Sequence, residues 1–143
     1  MNTTEVRDRF AQSKVARLAT VDPGGNPHLV PITFALLDEH TIVTAVDHKP
    51  KRTTYLRRVR NIDANEAVTV LVDHYADDWD ELWWARADGA ATTVGPGEGR
   101  TLRTAAIKAL AGRYPQYRDT RPTGILIVIA VERWSGWSAM PGA

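Results

Sequence analysis

The chain has 143 residues, of which 43% are hydrophobic and 24% are charged, and its formal net charge at pH 7 is +1. This length and composition predict one globular domain over residues 1–143. The lack of cysteine excludes disulfides and thiolate metal ligands, and no apolar run approaches the roughly 20 residues of a membrane helix. Because the first residues are polar and show no secretory leader, we expect a soluble cytoplasmic protein.

The first part of the chain is predicted to be a short helix followed by strands. Apolar residues at helical spacing predict the helix at residues 4–13. The strands are predicted at residues 15–21, 28–37 and 41–46, as a three-stranded meander with a DPGGN turn at residues 22–26. Pro31 cannot donate a ladder hydrogen bond, so we expect its strand to lie at a sheet edge or to carry a bulge there.

The second part of the chain is predicted to contain three more strands and one long helix. The strands fall at residues 68–74, 82–94 and 124–134, and the helix falls at residues 100–114. An acidic loop at residues 75–81 and a polar loop at residues 117–123 connect them. These elements predict a mainly β fold, a six-stranded antiparallel barrel with peripheral helices.

Between the third and fourth strands lies a basic segment, DHKPKRTTYLRRVRN, at residues 47–61. Its six cations are Lys49, Lys51, Arg52, Arg57, Arg58 and Arg60. A solvated helix face is the commonest explanation of a charge run, but no acid separates these cations. Nucleic acid would be expected to require a wider basic surface and a higher pI than 8.1. We therefore favour a phosphorylated small molecule, bound where a helical crossover begins.

The sequence contains no strong motif for a dinucleotide site, a metal site or a serine hydrolase. GPGEG at residues 95–99 has GxGxG spacing and no parallel βαβ unit around it, so a connector is favoured over a dinucleotide site. The four histidines lack metal-ligand spacing, and the serines lack a GxSxG context. We assign no catalytic side chain and no metal ligand. An enzyme with this sequence would take its chemistry from an organic cofactor.

In order and content, four segments resemble the split-barrel flavin- and deazaflavin-binding proteins related to pyridoxamine 5'-phosphate oxidase. The segments are VARLATVDPGGNPHLVPITF, TIVTAVDHKPKRTTYLRRVRNI, VTVLVDHY and WWARADGAATTV. The chain most resembles a mycobacterial-type branch that uses the deazaflavin coenzyme F420. The resemblance implies an FMN-binding-protein-like split barrel and a homodimer with cofactor sites between its subunits. It also implies a coenzyme F420-dependent reductase that transfers hydride to a small-molecule acceptor.

The resemblance further implies which residues bind the cofactor. The planar ring would lie along two strands, at Val30, Pro31, Ile32, Thr33, Thr44, Ala45, Val46 and Asp47. The phosphate would be held by Lys51, Arg58, Arg60 and Asn61. Lys49, Arg52 and Arg57 would then serve the longer anionic tail of coenzyme F420. The partner subunit would contribute Trp84 and Arg86.

Two other functions remain open from the sequence. An FMN flavoprotein of the same fold could use the basic segment almost as well, and a non-catalytic cofactor or nucleic-acid binder is the third hypothesis. The ending SGWSAMPGA lacks the arginine and histidine that pyridoxamine-phosphate oxidases use on their substrate, which argues against vitamin B6 oxidation. An exposed Trp84 and the apolar run ILIVIAV at residues 125–131 are expected to be buried in a symmetric dimer.

Overall fold

The structure, a computed structural model, describes residues 1–46 and 52–140, except for the side chains of residues 52–56. The helices are α1 (Thr3–Gln12), α2 (Arg52–Ala64), α3 (Arg100–Arg113) and α4 (Pro115–Asp119). The strands are β1 (Ala16–Val21), β2 (Pro27–Ile32), β3 (Ala35–Asp38), β4 (Thr41–Ala45), β5 (Ala67–His74), β6 (Trp83–Val94) and β7 (Leu126–Ser138). A single 3-10 turn, Trp79–Glu81, precedes β6.

The strands form one antiparallel sheet in the order β2-β1-β5-β6-β7-β4-β3. Its two edge strands, β2 and β3, are consecutive in the chain and are joined only by Thr33 and Phe34. So short a link spans at most about 10 Å, so the two edges of the sheet must approach each other. The sheet therefore curls toward a barrel without closing into one.

The predicted class, a mainly β antiparallel fold with peripheral helices, is confirmed, but the predicted number of strands is wrong. The segment predicted as one strand at residues 28–37 forms two strands on opposite edges, so the predicted meander is also wrong. The break falls at Thr33 and Phe34, whereas Pro31 stays inside β2 opposite Arg17. The edge position expected of Pro31 is confirmed. The loop predicted at residues 117–123 begins within α4.

The core lies inside the curled sheet, where alternate strand residues point inward. On β6 the inward residues Ala85, Ala87 and Ala91 are small and fully or almost fully buried. They belong to the same core cluster as Phe10 from α1, whose ring packs edge-on against Phe34 and Trp134 at centroid distances of 5.9 and 5.3 Å. Helix α3 covers a second cluster, centred on Leu110 and Leu126.

The apolar run at residues 125–131 does not form the exposed patch that we expected. Leu126, Ile127 and Ile129 are fully buried within this one chain. The strands of the sheet instead expose two large apolar side chains, Leu29 at 66% and Trp137 at 48%. Within the described residues, no helix combines the length and the hydropathy needed to cross a bilayer.

Gly89 allows β6 and β7 to approach closely at an irregularity in their register. A Cβ atom there would lie 2.1 Å from the backbone oxygen of Ala130. We expect Gly89→Ala to lower the free energy of unfolding by about 1–3 kcal/mol through overpacking. Gly112→Ala, in α3 with no atom near the added methyl group, should instead raise it by about 0.5–1 kcal/mol. Urea unfolding, monitored by tryptophan fluorescence, gives the free energy of unfolding of each variant. A similar decrease in both variants would contradict the close approach of β6 and β7 at Gly89.

Candidate functional site

A cavity of about 650 Å³ opens where the chain passes from β2 to β3, beside the end of β4. It is lined by Lys14, Val15, Thr33, Ala45, Val46, Tyr114, Gln116, Tyr117, Thr120 and Pro122. One wall comes from the sheet and the opposite wall from the corner between α3 and α4. Its volume and mixed lining, mostly apolar with a few polar groups, are typical of sites for small organic ligands and cofactors.

The hydroxyl of Tyr114 fixes the wall of this cavity. It accepts a hydrogen bond from the backbone N–H of Phe34 at 3.1 Å. The same oxygen lies 3.0 Å from the carbonyl oxygen of Phe34 and 2.9 Å from that of Lys14, to either of which it can donate. Because its donor and acceptor capacity is used by the backbone, this hydroxyl positions the link between β2 and β3 rather than serving a ligand.

Tyr117 contributes the second aromatic side chain of the wall. Its hydroxyl oxygen lies 2.8 Å from Oγ1 of Thr33, and its ring packs edge-on against that of Tyr114 at 5.7 Å. Each hydroxyl of this pair can donate one hydrogen bond and accept two. The pair therefore keeps hydrogen-bonding capacity for a molecule in the cavity. The sequence predicted Thr33 but not Tyr117.

The structure brings together three of the residues predicted to contact the ring, Thr33, Ala45 and Val46, all of which line the cavity. The other ring positions on the two strands differ in exposure. The side chains of Val30, Ile32 and Thr44 are buried, whereas Pro31 is exposed on the edge strand. Asp47 lies outside the described residues.

The anion-binding residues predicted in the basic segment lie on α2 or just before it. Lys49, Lys51 and the side chain of Arg52 are outside the described part of the chain. Arg57 and Arg60 are exposed, and Arg58 is partly buried. Asn61 is only 3% exposed, and its Nδ2 donates a hydrogen bond to Oγ1 of Thr20 at 3.0 Å. Asn61 thus attaches α2 to β1.

His28, which the sequence did not assign to the site, faces the same helix. Burial, followed by the charges of Arg57 and Arg58, lowers the pKa of His28 below its ordinary value. Its Nδ1 atom is buried, and no hydrogen-bond partner for it lies within the part of the chain that the structure describes. The sequence gives only a weak signal for His28, because its proximity to α2 arises from the tertiary structure and not from the spacing of the histidines.

Trp84 and Arg86 lie on β6 and are not among the residues that line the cavity. The guanidinium of Arg86 lies 5.5 Å from the ring centroid of Trp84, and its Nε contacts Oδ2 of Asp88 at 3.1 Å. Their assignment to the site of a partner subunit stays a prediction. Among the residues that the structure describes, no three histidine or carboxylate side chains are grouped to hold a metal ion.

The two tyrosines of the cavity wall should differ in their effect on stability. Tyr114→Phe leaves the buried backbone groups of Phe34 without a partner, so we expect the free energy of unfolding to fall by about 1–3 kcal/mol. Tyr117→Phe removes one partly buried bond and should lower it by no more than about 1 kcal/mol. Chemical denaturation of the two variants tests this, and an equal or smaller loss for Tyr114→Phe would contradict it.

Comparison with known proteins gives the family. The family model described as pyridoxamine 5'-phosphate oxidase matches residues 3–138. No curated protein gives a significant match. Three solved structures with similar folds are a conserved hypothetical protein from Mycobacterium tuberculosis, an FAD-binding protein from Mesorhizobium loti and a heme storage protein from Vibrio cholerae.

The Mycobacterium protein has a TM-score of 0.74 and 23% identity, over 97% of this chain and 86% of its own. The Mesorhizobium protein has a TM-score of 0.70 and 20% identity, over 95% and 94%. The Vibrio protein has a TM-score of 0.70 and 18% identity, over 94% and 92%. These identities establish a common fold only. Because the family model matches nearly the whole sequence, the chain belongs to the pyridoxamine 5'-phosphate oxidase family.

Proposed function

We propose that the protein binds coenzyme F420 and acts as a reductase that transfers hydride from the reduced deazaflavin to a small-molecule acceptor. The observation that carries this proposal is that an apolar cavity and a cationic helix adjoin the two ends of one edge strand. Thr33, just after β2, lines the cavity, and His28, near the start of β2, feels the charges of Arg57 and Arg58. The two positions are five residues apart along extended chain, which corresponds to about 16 Å.

The cavity fits the planar ring of such a cofactor. Its volume of about 650 Å³ is sufficient for a tricyclic ring, and Val15, Ala45, Val46 and Pro122 give it apolar surface. Edge strands carry backbone N–H and C=O groups that the sheet does not use. Such groups on β2 and β3 can pair with the pyrimidine edge of a flavin or deazaflavin ring.

The cations of α2 support the choice of coenzyme F420 over FMN. FMN ends in one phosphate group, whereas coenzyme F420 continues beyond a phosphodiester into a glutamate tail with further negative charges. Arg57 and Arg60 are exposed and lie on the same helix as the partly buried Arg58. A row of cations that extends into solvent suits an anion that extends in the same way.

The chain's own residues would position the reactants. A bound reduced deazaflavin supplies the hydride, so no side chain has to act as the reductant. The cavity walls would exclude water from the ring, and the hydroxyls of Thr33 and Tyr117 are available to orient an oxygen of the acceptor. This division of roles agrees with the lack of a nucleophile–base pair in the sequence.

We also propose that the functional unit is a homodimer. Leu29 and Trp137 expose large apolar side chains on the sheet, and Trp84 is adjacent to Trp137 on the neighbouring strand. Exposed apolar side chains on a sheet suit burial against a second copy of the same chain. In such a dimer, Trp84 and Arg86 would complete the cofactor site of the other subunit.

An FMN flavoprotein is the second candidate, since FMN would fit the same cavity and the fold is shared with an FAD-binding protein from Mesorhizobium loti. Titrations with coenzyme F420 and with FMN, each at low and at high salt, distinguish the two. We expect coenzyme F420 to bind more tightly at low salt and the difference to narrow as salt screens the tail. Equal or tighter binding of FMN at low salt would favour the flavoprotein.

The contribution of α2 can be measured with single cation removals. We expect Arg58→Ala to weaken coenzyme F420 binding by about 1.5–3 kcal/mol, the usual value for a hydrogen bond to a charged group. Lys108→Ala removes an exposed cation from α3 and serves as the matched control, with an expected effect below about 0.5 kcal/mol. Calorimetric titration gives both values. Equal losses would show that diffuse charge, and not a defined phosphate pocket, attracts the cofactor.

A further inference from the structure

His28 lies at the junction of the edge strand and the basic helix. It is paired across the ladder with Thr20, whose hydroxyl oxygen accepts the hydrogen bond from Asn61 of α2. The imidazole is partly exposed, but its Nδ1 atom is buried and has no hydrogen-bond partner among the described residues. Buried polar atoms without a hydrogen-bond partner are uncommon in native proteins, and each of them calls for a structural or functional explanation.

The groups around His28 are cationic. Among the residues that the structure describes, Arg57 and Arg58 of α2 carry charges that lower the pKa of His28. The nearby turn contributes one acid, Asp22, but that carboxylate already accepts a hydrogen bond from the backbone N–H of Asn26 at 2.9 Å. No described salt bridge joins Asp22 to His28 or to Arg57. The charge of Arg57 is among the causes that lower the pKa of Asp22, so this carboxylate offsets part of the positive charge, and the two arginines leave the junction cationic beside the imidazole.

We propose that His28 completes a phosphoryl-binding site with Arg57 and Arg58, and that an anion bound there is taken up together with a proton on the imidazole. This inference rests on the proposed function, because the site would hold the anionic part of the same cofactor. It adds His28, a residue outside the basic segment, to the side chains that bind the anion. It also makes cofactor binding respond to pH.

The direction of the pH dependence follows from the charges. In the free protein the pKa of His28 is lowered, first by burial and then by Arg57 and Arg58, so the imidazole is neutral near pH 7. An anionic phosphoryl group among the three side chains replaces repulsion by attraction and accepts a hydrogen bond from the imidazolium, which raises the pKa of His28 in the complex. Binding then takes up a proton, and affinity increases as pH falls between the free and the bound pKa.

Sulfate is the suitable probe, because it stays a dianion over the range in which histidine titrates. We expect saturating sulfate to raise the pKa of His28, followed by the NMR shifts of its ring, by about one unit. Sulfate should accordingly bind up to about tenfold more tightly near pH 6 than near pH 8. His28→Gln should abolish that pH dependence, whereas His40→Gln, a change at an exposed turn histidine, should preserve it.

A pKa of His28 that sulfate leaves unchanged would overturn the inference, as would the same pH dependence in His28→Gln. Sulfate binding that does not saturate, an adventitious ion only, would also overturn it. If His28→Gln does not fold, the NMR titration of the unmodified protein decides alone. Tight binding of coenzyme F420 without any response of His28 would reject this inference and keep the proposed function. If the protein binds neither coenzyme F420 nor FMN but the pKa of His28 still responds to sulfate, the anion site is kept and the proposed function is rejected.

Discussion

The buried hydroxyl of Tyr114 holds the one point at which the curled sheet passes from its first edge to its second. Thr33 and Phe34 belong to neither strand, and backbone groups of Phe34 in the core would be costly if left unpaired. Tyr114 pairs them from the end of α3 and contacts the carbonyl of Lys14 as well. The same contact brings the α3–α4 corner against the sheet and so creates the cavity.

The candidate site has two chemically different ends because different helices cover the two ends of β2. The α3–α4 corner supplies aromatic rings and a few hydroxyls next to Thr33. Helix α2, attached to β1 through Asn61, places Arg57 and Arg58 near His28. A ligand that lies along the strand would thus contact apolar surface at one end and positive charge at the other. A ring joined by a flexible chain to an anionic group has this distribution.

Local patterns were enough to predict the β-rich class, α1, α3 and the edge position of Pro31, since alternation, helical spacing and turn residues report on neighbouring positions. They could not predict the division of residues 28–37 into two strands. That division depends on a hydroxyl 80 residues away in sequence. The family resemblance predicted Thr33, Ala45 and Val46 as site residues. Tyr117 becomes a candidate only through its contact with Thr33, and His28 only through its proximity to α2.

A crystal structure of the protein with coenzyme F420 tests the central claim most directly. We expect this structure to show the ring in the cavity, in contact with Thr33, Ala45 and Val46. The anionic tail should run along β2 toward Arg57 and Arg58. A ring bound elsewhere, for example in the groove beside Arg9, His74 and Trp83, would contradict it.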